Sequence, residues 1–369
     1  MTATVKSAEK ELKWKEVYSL AALNAAVVIS WIAYHEYQPV LIEKFEFSSL
    51  RSFLLVAQSI ILVTIPPVAG LLADRIMRRS GKFFTIFTIG IGATAMVFMV
   101  VATIIGAGPL SAVKPLLPFM IVIWLISMNL FISPANSMIE AFAPAHKLPV
   151  VMGVLFLVTE LLYALEPVIV SLVHIFGDTL TFVVGGILIA GTGFLFHKVS
   201  SDEVIQRKQE LIEFPKIMKQ SVMSYVTILV IGLVLGVGKG FLVEYVPDHI
   251  ETNFKSIGQY GGYISFGFLG FSAILAFVIS NYVSKQRLQN VIILGFAVLV
   301  VGLVLLLVSS SVVVLIAGCL FTAIAFSFIN IAGLPFAINN LSVNHLTYGV
   351  GIYIGASEVC TSVFELIQG

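Results

Sequence analysis

Charge is what this sequence has least of. Asp, Glu, Lys and Arg together make up 11% of 369 residues, against 59% hydrophobic, where soluble domains carry about 25% charge. So few polar residues cannot cover the apolar surface of a water-soluble fold, and a mean hydropathy of +1.03 agrees. The chain reads as a polytopic membrane protein. It also lacks the alternating segments of roughly ten residues that mark a transmembrane β-barrel. Helices remain, because lipid offers no partner to exposed backbone groups. A net charge of +1 gives no basis for nucleic-acid binding. The only cysteines, Cys319 and Cys360, lie inside apolar runs and read as packing residues rather than a disulfide or metal pair. No glycine loop ends in Lys-Ser/Thr, and neither a Ser-His-Asp pattern nor a His-Glu zinc spacing occurs. Nothing points to an enzyme, to ATP-driven work or to a bound cofactor; a proton gradient is the expected energy source.

What is present is a series of membrane-length apolar runs, each near the 20 residues a span needs. Spans are expected near 17–38, 51–73, 82–106, 115–139, 149–173 and 178–197, then near 221–246, 258–280, 288–308, 311–337 and 346–367. A charged stretch, "KVSSDEVIQRKQELIEFPKIMKQ" (198–220), separates the two sets as a linker, and residues 1–16 form a charged lead-in that is not a cleavable signal. The expected domains are therefore a first bundle over 17–197, the linker, and a second bundle over 221–369. With the N-terminus in the cytoplasm, sixteen of the 21 Lys and Arg residues fall on the cytoplasmic side. The other five, Lys44, Arg51, Lys114, Lys239 and Lys255, fall on the opposite side. Basic residues collect on the cytoplasmic side of membrane proteins, so this asymmetry sets the topology. A cell (inner) membrane is expected.

The halves look related. "EYQP" (36–39) recurs as "EYVP" (244–247), 208 residues later, and "AHKLPVVMG" (145–153) resembles "NHLTYGVG" (344–351). Glu160 then falls on Glu358. Several matches in one order, each on the same side of the membrane, indicate a duplicated unit. The repeat predicts a twelfth span near 376–395, past Gly369. The shared Glu-Tyr-x-Pro reads as architecture, ending a helix at proline.

"GLLADRIMRR" (70–79) lies between spans two and three and resembles the signature loop G-x-x-x-D-R-x-G-R-R of the major facilitator superfamily. Gly70, Asp74, Arg75, Arg78 and Arg79 match; Met77 stands where the inner glycine belongs. "PAHKLPVVMG" (144–153) also resembles the family's loop between spans four and five, without its usual arginine. The resemblance covers essentially the whole chain. It implies an all-α fold of two pseudo-symmetric six-helix bundles rocking around a central cavity, with about eleven spans present here. It also implies a latch on the cytoplasmic face made by Asp74 and the arginines, to which Glu140 near the end of span four can contribute as a gate. The alternative is that the arginines only set topology. Of the G-x8-G-x3-G-P pattern common in the family's drug–proton antiporters, Gly153 and Pro167 remain, while Leu162 and Glu166 replace glycines.

Ionisable groups at mid-membrane are costly and point to function. Glu160 and Glu358 each lie near the centre of a span, at matching places in the two halves, and suit proton coupling; the alternative is a protonated glutamate making a structural hydrogen bond. Span four carries a stripe of Asn129, Ser133, Asn136 and Glu140, and span one places Trp31, His35 and Gln38 on one face. Trp31, His35, Gln38, Asn129, Asn136 and Tyr163 are candidate solute contacts, interhelical packing being the alternative. Glu36 and Glu244 read as structural. No basic residue is expected deep in any span, which suits a neutral, zwitterionic or cationic solute better than a phosphorylated or dicarboxylate one. The expectation is a monomeric, proton-coupled secondary transporter of a small polar organic solute. An exporter of lipophilic cations, drugs or metal ions is one alternative, and a non-transporting membrane sensor or structural subunit is another.

Overall fold

The computed structural model describes residues 11–108, 112–205 and 220–368. Residues 1–10 of the lead-in and 206–219 of the linker lie outside the described residues, and with them Lys6, Lys10, Arg207, Lys208, Lys216 and Lys219. Among the described residues every regular element is helical. Eleven helical stretches are long and apolar enough to cross a membrane.

The first bundle holds α1 (Trp14–Lys44), α2 (Arg51–Ser80), α3 (Phe84–Ala107), α4 (Leu117–Ser137) with its short continuation α5 (Ile139–Phe142), α6 (Leu148–Ala164) and α7 (Glu166–Val199). The second holds α8 (Val222–Gly240), α9 (Val246–Asn253), α10 (Gly261–Val283), α11 (Leu288–Leu307), α12 (Val312–Asn339), α13 (Leu346–Ser357) and α14 (Val359–Gln368). Local signals explain many of the ends. Gly81 closes α2 in the left-handed region, with φ 66. The Ser221 and Ser311 hydroxyls accept from backbone N–H groups at the starts of α8 and α12. Gly177, with φ 73, turns the chain inside α7 between the fifth and sixth crossings.

Two expectations are corrected. Pro39 does not end the first helix, since α1 continues past it to Lys44. A proline inside a membrane helix removes one hydrogen bond, and neighbouring helices can absorb that loss. The seventh crossing does not stop at 246. It continues through a π-helical turn, Phe241–Tyr245, into α9 and so reaches Asn253. The fifth and eleventh crossings are interrupted as well, at Leu165 and at Glu358. Irregular backbone at membrane depth persists only where protein buries it or where it lines a cavity.

The bundles meet on the face that carries the 80–83 turn and the start of α13, here called the basic face. There α2 packs along α13, and α6 packs along α10. The α2–α13 seam is backbone against backbone. A Cβ on Gly70 would lie 2.2 Å from the Thr347 carbonyl oxygen, and one on Gly351 would lie 2.3 Å from that of Pro66. No larger residue fits either place without moving a helix. Ion pairs at the opposite face, Lys44–Asp178 at 2.9 Å and Lys114–Glu46 at 2.6 Å, stay within the first bundle.

Candidate functional site

Extending the seventh crossing to Asn253 moves Lys239 from a helix end to the middle of a span running Val222–Asn253. The expectation that no basic residue lies deep in the membrane is therefore wrong, as is the placement of Lys239 among loop cations. Its ammonium sits 4.0 Å from Oε1 of Glu358, with the two side chains 21% and 24% exposed. It also lies over the Tyr163 ring, 5.1 Å from the centroid, a placement that favours a cation. Glu160 and Glu244 are within coulombic range of the same ammonium, as are His35 and Glu365. Glu160 comes from the first bundle and Glu358 from the second, so the two coupling candidates share one cation at the seam between bundles. Glu160 is 6% exposed, and its Oε2 has no hydrogen-bond partner among the described residues.

The backbone is irregular where these groups meet. Lys239 and Gly240 lead into the π turn that carries Glu244, and Glu358 is the residue at which the eleventh crossing breaks. Single π turns inside α-helices occur often at functional sites. A charge at mid-membrane costs about 3 kcal/mol on insertion scales. Gathering one cation and several carboxylates in a shared pocket offsets part of that cost.

A second link crosses between the bundles nearer the opposite face. The Tyr34 hydroxyl donates to Oε1 of Gln58 at 3.0 Å, and Nε2 of Gln58 donates to Oε2 of Glu365 at 2.9 Å. Gln58 is buried. Sequence reasoning did not single out Gln58 or Tyr34.

The solute-contact candidates separate. Tyr163 and His35 border the Lys239 cluster. Trp31 is buried in an aromatic group, edge-on to Trp124 at 5.0 Å and to Tyr34 at 5.5 Å, with His35 tilted against it. Gln38 lines a small cavity inside the first bundle together with Tyr34, Phe98, Trp124 and Phe182. Asn129 and Asn136 each donate to a carbonyl one turn earlier in α4. Asn136 also accepts from Asn24 of α1 at 3.4 Å, and Ser133 of the same stripe donates to the Pro66 carbonyl. Glu36, read as structural, pairs with His174 at 2.7 Å.

At the basic face the buried Asp74 carboxylate accepts from the Thr347 N–H at 3.3 Å and the Tyr348 N–H at 2.9 Å. These are first-turn donors of α13, so the acid of one bundle caps a helix of the other. Arg78 donates to the Asn344 carbonyl at 2.7 Å, also across the seam. Arg75 and Arg79 are exposed and make no hydrogen bond or ion pair among the described residues. Glu140 lines a cavity of about 460 Å³ with His146, Asn339 and Leu346, between the loops of the two bundles.

A search of curated proteins by sequence gave no match. Solved structures do match. One is the human organic anion transporter MFSD10 (TETRAN), at 12% identity and TM-score 0.71, covering 96% of this chain and 92% of that one. Another is the proton:xylose symporter XylE bound to 6-bromo-6-deoxy-D-glucose, at 14% identity and TM-score 0.68, covering 95% of this chain and 87% of that one. At such identities the likeness is one of fold. The family model described as Major Facilitator Superfamily matches residues 17–364, which is nearly the whole chain. With its paired bundles, its Asp74-capped seam and its family match, the chain belongs to the major facilitator superfamily, whose fold is that of transporters.

Proposed function

We propose that this protein is a proton-coupled secondary transporter that moves a small polar organic solute by alternating access between its two bundles. The observation that carries this reading is the mid-membrane cluster in which Lys239 and Glu358 of one bundle face Glu160 of the other. Carboxylates that share a cation can exchange protons for ion pairs, and the change is felt at once by both bundles, because the cluster spans their seam. A difference of a few kcal/mol between two packings suffices to shift which face is open. In this reading the basic face is cytoplasmic, by the excess of Lys and Arg there. Gly70, Asp74, Arg75, Arg78, Arg79 and Glu140 form the gate that holds it shut. Glu160 and Glu358 carry the proton. Tyr163 and His35 contact the solute, while Trp31, Gln38, Asn129 and Asn136 shape the wall behind them. One fold relative is itself named a proton:xylose symporter, so the architecture accommodates proton coupling.

The test is transport by purified protein in liposomes under an imposed pH gradient, over a panel of sugars, polyols, amino acids and organic acids. Gradient-dependent uptake of at least one class is expected. The Glu358→Gln and Glu160→Gln variants are expected to lose accumulation while retaining solute exchange at equal pH. Uptake that ignores the pH gradient in the native protein would overturn proton coupling. Failure to move any solute of the panel would favour the sensor or structural reading.

A further inference from the structure

Resting on that reading, we propose that Lys239 is the docking point for a carboxylate on the transported solute, and that Glu358 is the resident counter-ion which that carboxylate displaces. The solute is then a small organic acid or a zwitterion.

Four observations converge. Lys239 is a cation at the middle of its span, where a lone charge is costly and its retention calls for a use. Its ion pair with Glu358 is long, at 4.0 Å, beyond the 2.7–2.9 Å or so of a charge-assisted hydrogen bond. The pair is therefore loose enough for another oxygen to enter. Both side chains are about one-fifth exposed, and His35, which feels the same charge, is exposed although it lies within the first span. The ion pair is thus not fully enclosed by protein. Finally, the buried Oε2 of Glu160 has no hydrogen-bond partner among the described residues, which leaves an acceptor for a donor group carried elsewhere on the solute.

The groups facing Lys239 are Glu160 and Tyr163 from α6, His35 from α1, Glu244 from the π turn, and Glu358 and Glu365 from the eleventh crossing. Carboxylates outnumber the cation, so an anionic solute cannot join unless a resident acid is neutralised. A proton arriving from the open face binds the Glu358 carboxylate, the ion pair dissolves, and the solute carboxylate takes the freed ammonium. One proton and one negative charge enter together, so the charge of the cluster is unchanged. Coupling follows from this exclusion, because either Glu358 or the solute holds Lys239, and never both.

The test is thermal stabilisation of the purified full chain by lactate, gluconate and glycine, each beside a counterpart in which a neutral group replaces the carboxylate (lactamide, glucitol and glycinamide), at pH 5.5 and 7.5. Ligand binding to the folded state raises apparent stability. Stabilisation by at least one acid, absent with its neutral counterpart and greater at the lower pH, is expected. Glu358→Gln should bind that acid about tenfold more tightly and with a weaker pH dependence, because the carboxylate that pairs with the ammonium is gone and the competent state is populated more often. Lys239→Gln should abolish the response. The double variant Lys239→Gln/Glu358→Gln, which leaves no unpaired charge at the pair, should also be silent if Lys239 is the docking point, and it guards against misfolding of the single variant. Equal stabilisation by acids and neutral counterparts, an acid response surviving in the double variant, or silence of every acid in the native protein overturns the proposal. Acid binding without gradient-driven uptake would overturn the transport reading alone.

Discussion

The duplicated halves set up two bundle-to-bundle seams at the basic face, and the seams are not built alike. At one, α2 meets α13 with Gly70 and Gly351 pressed on carbonyl oxygens, and Asp74 caps α13 from across the gap. At the other, α6 meets α10, and the tight contact is Gly153 against the Ser280 side chain, where an added Cβ would lie 2.7 Å from Ser280 Cβ. The repeat that relates "EYQP" to "EYVP" puts Tyr282, not an acid, where Asp74 stands. The two halves present two packing surfaces, and among the described residues a buried carboxylate caps the facing helix at the α2–α13 seam. The comparison teaches that packing and latching are separable. Small residues let both seams close, whereas at one of them a buried carboxylate also accepts from two N–H donors of the opposite bundle.

The largest effect is expected where backbone opposes backbone. Gly70→Ala puts a methyl group against the Thr347 carbonyl, which no side-chain rotation relieves. Overpacking of this kind costs about 1–3 kcal/mol, and the upper end applies here. The closed basic face should lose population by up to about 150-fold. Labelling of Ser137→Cys by a membrane-impermeant maleimide reads this, because Ser137 is fully buried and lies 3.3 Å from the Thr347 hydroxyl across the seam. Fast labelling in Gly70→Ala with an unchanged melting temperature is the expected result. Unchanged labelling would show that the seam relaxes around the methyl group.

Next comes Asp74→Asn. The amide retains one acceptor oxygen for the α13 N–H groups but loses the charge that favours a helix N-terminus. A hydrogen bond to a charged group is worth about 1.5–3 kcal/mol against about 1 for a neutral one. Transport should fall by roughly tenfold with folding intact, and Ser137→Cys labelling should rise in step. Normal transport in this variant would remove the latch from the mechanism. Gln58→Leu probes the other side of the same helix and should act with the opposite sign. Removing the Gln58–Glu365 bond loosens the bundles nearer the opposite face, by about 1 kcal/mol, so Ser137→Cys should label more slowly. Faster labelling would mean that this bond serves the closed basic face instead.

The fold was largely legible from the sequence, because eleven apolar runs and a basic asymmetry are strong, additive signals. The site was legible only in part. Glu160 and Glu358 stood out as carboxylates in apolar surroundings, and the structure brings both to one cation. Lys239 was missed because Glu-Tyr-x-Pro was read as a helix end, which put everything near it at the membrane surface. Whether proline ends a helix or sits inside one depends on neighbours that satisfy the freed carbonyl, and those come only with tertiary packing. A signal did exist, since the 208-residue offset places Lys239 on Trp31, already a site candidate. Gln58 was invisible for a different reason. One glutamine in an apolar run has no spacing to mark it, and its meaning comes from Tyr34 and Glu365, on other helices.

The smallest effect separates the three arginines of the 70–79 loop, which the family resemblance treats as one group. Arg78 holds the Asn344 carbonyl at 2.7 Å, so Arg78→Gln should loosen the closed basic face slightly, by roughly 0.5–1 kcal/mol at this exposed position. Arg75 and Arg79 reach solvent, and surface substitutions away from specific contacts stay within about 0.5 kcal/mol. Arg79→Gln should leave both labelling and uptake near the native values. If Arg79→Gln instead impairs transport as much as Asp74→Asn, the guanidinium must act in the state where the basic face is open, pairing with groups that the closed seam keeps apart. The asymmetry between the two seams would then lie in how each is held open as well as in how each is held shut, and Gly153→Ala, which sets a methyl group against Ser280 Cβ at the other seam, would become the control that carries no charge.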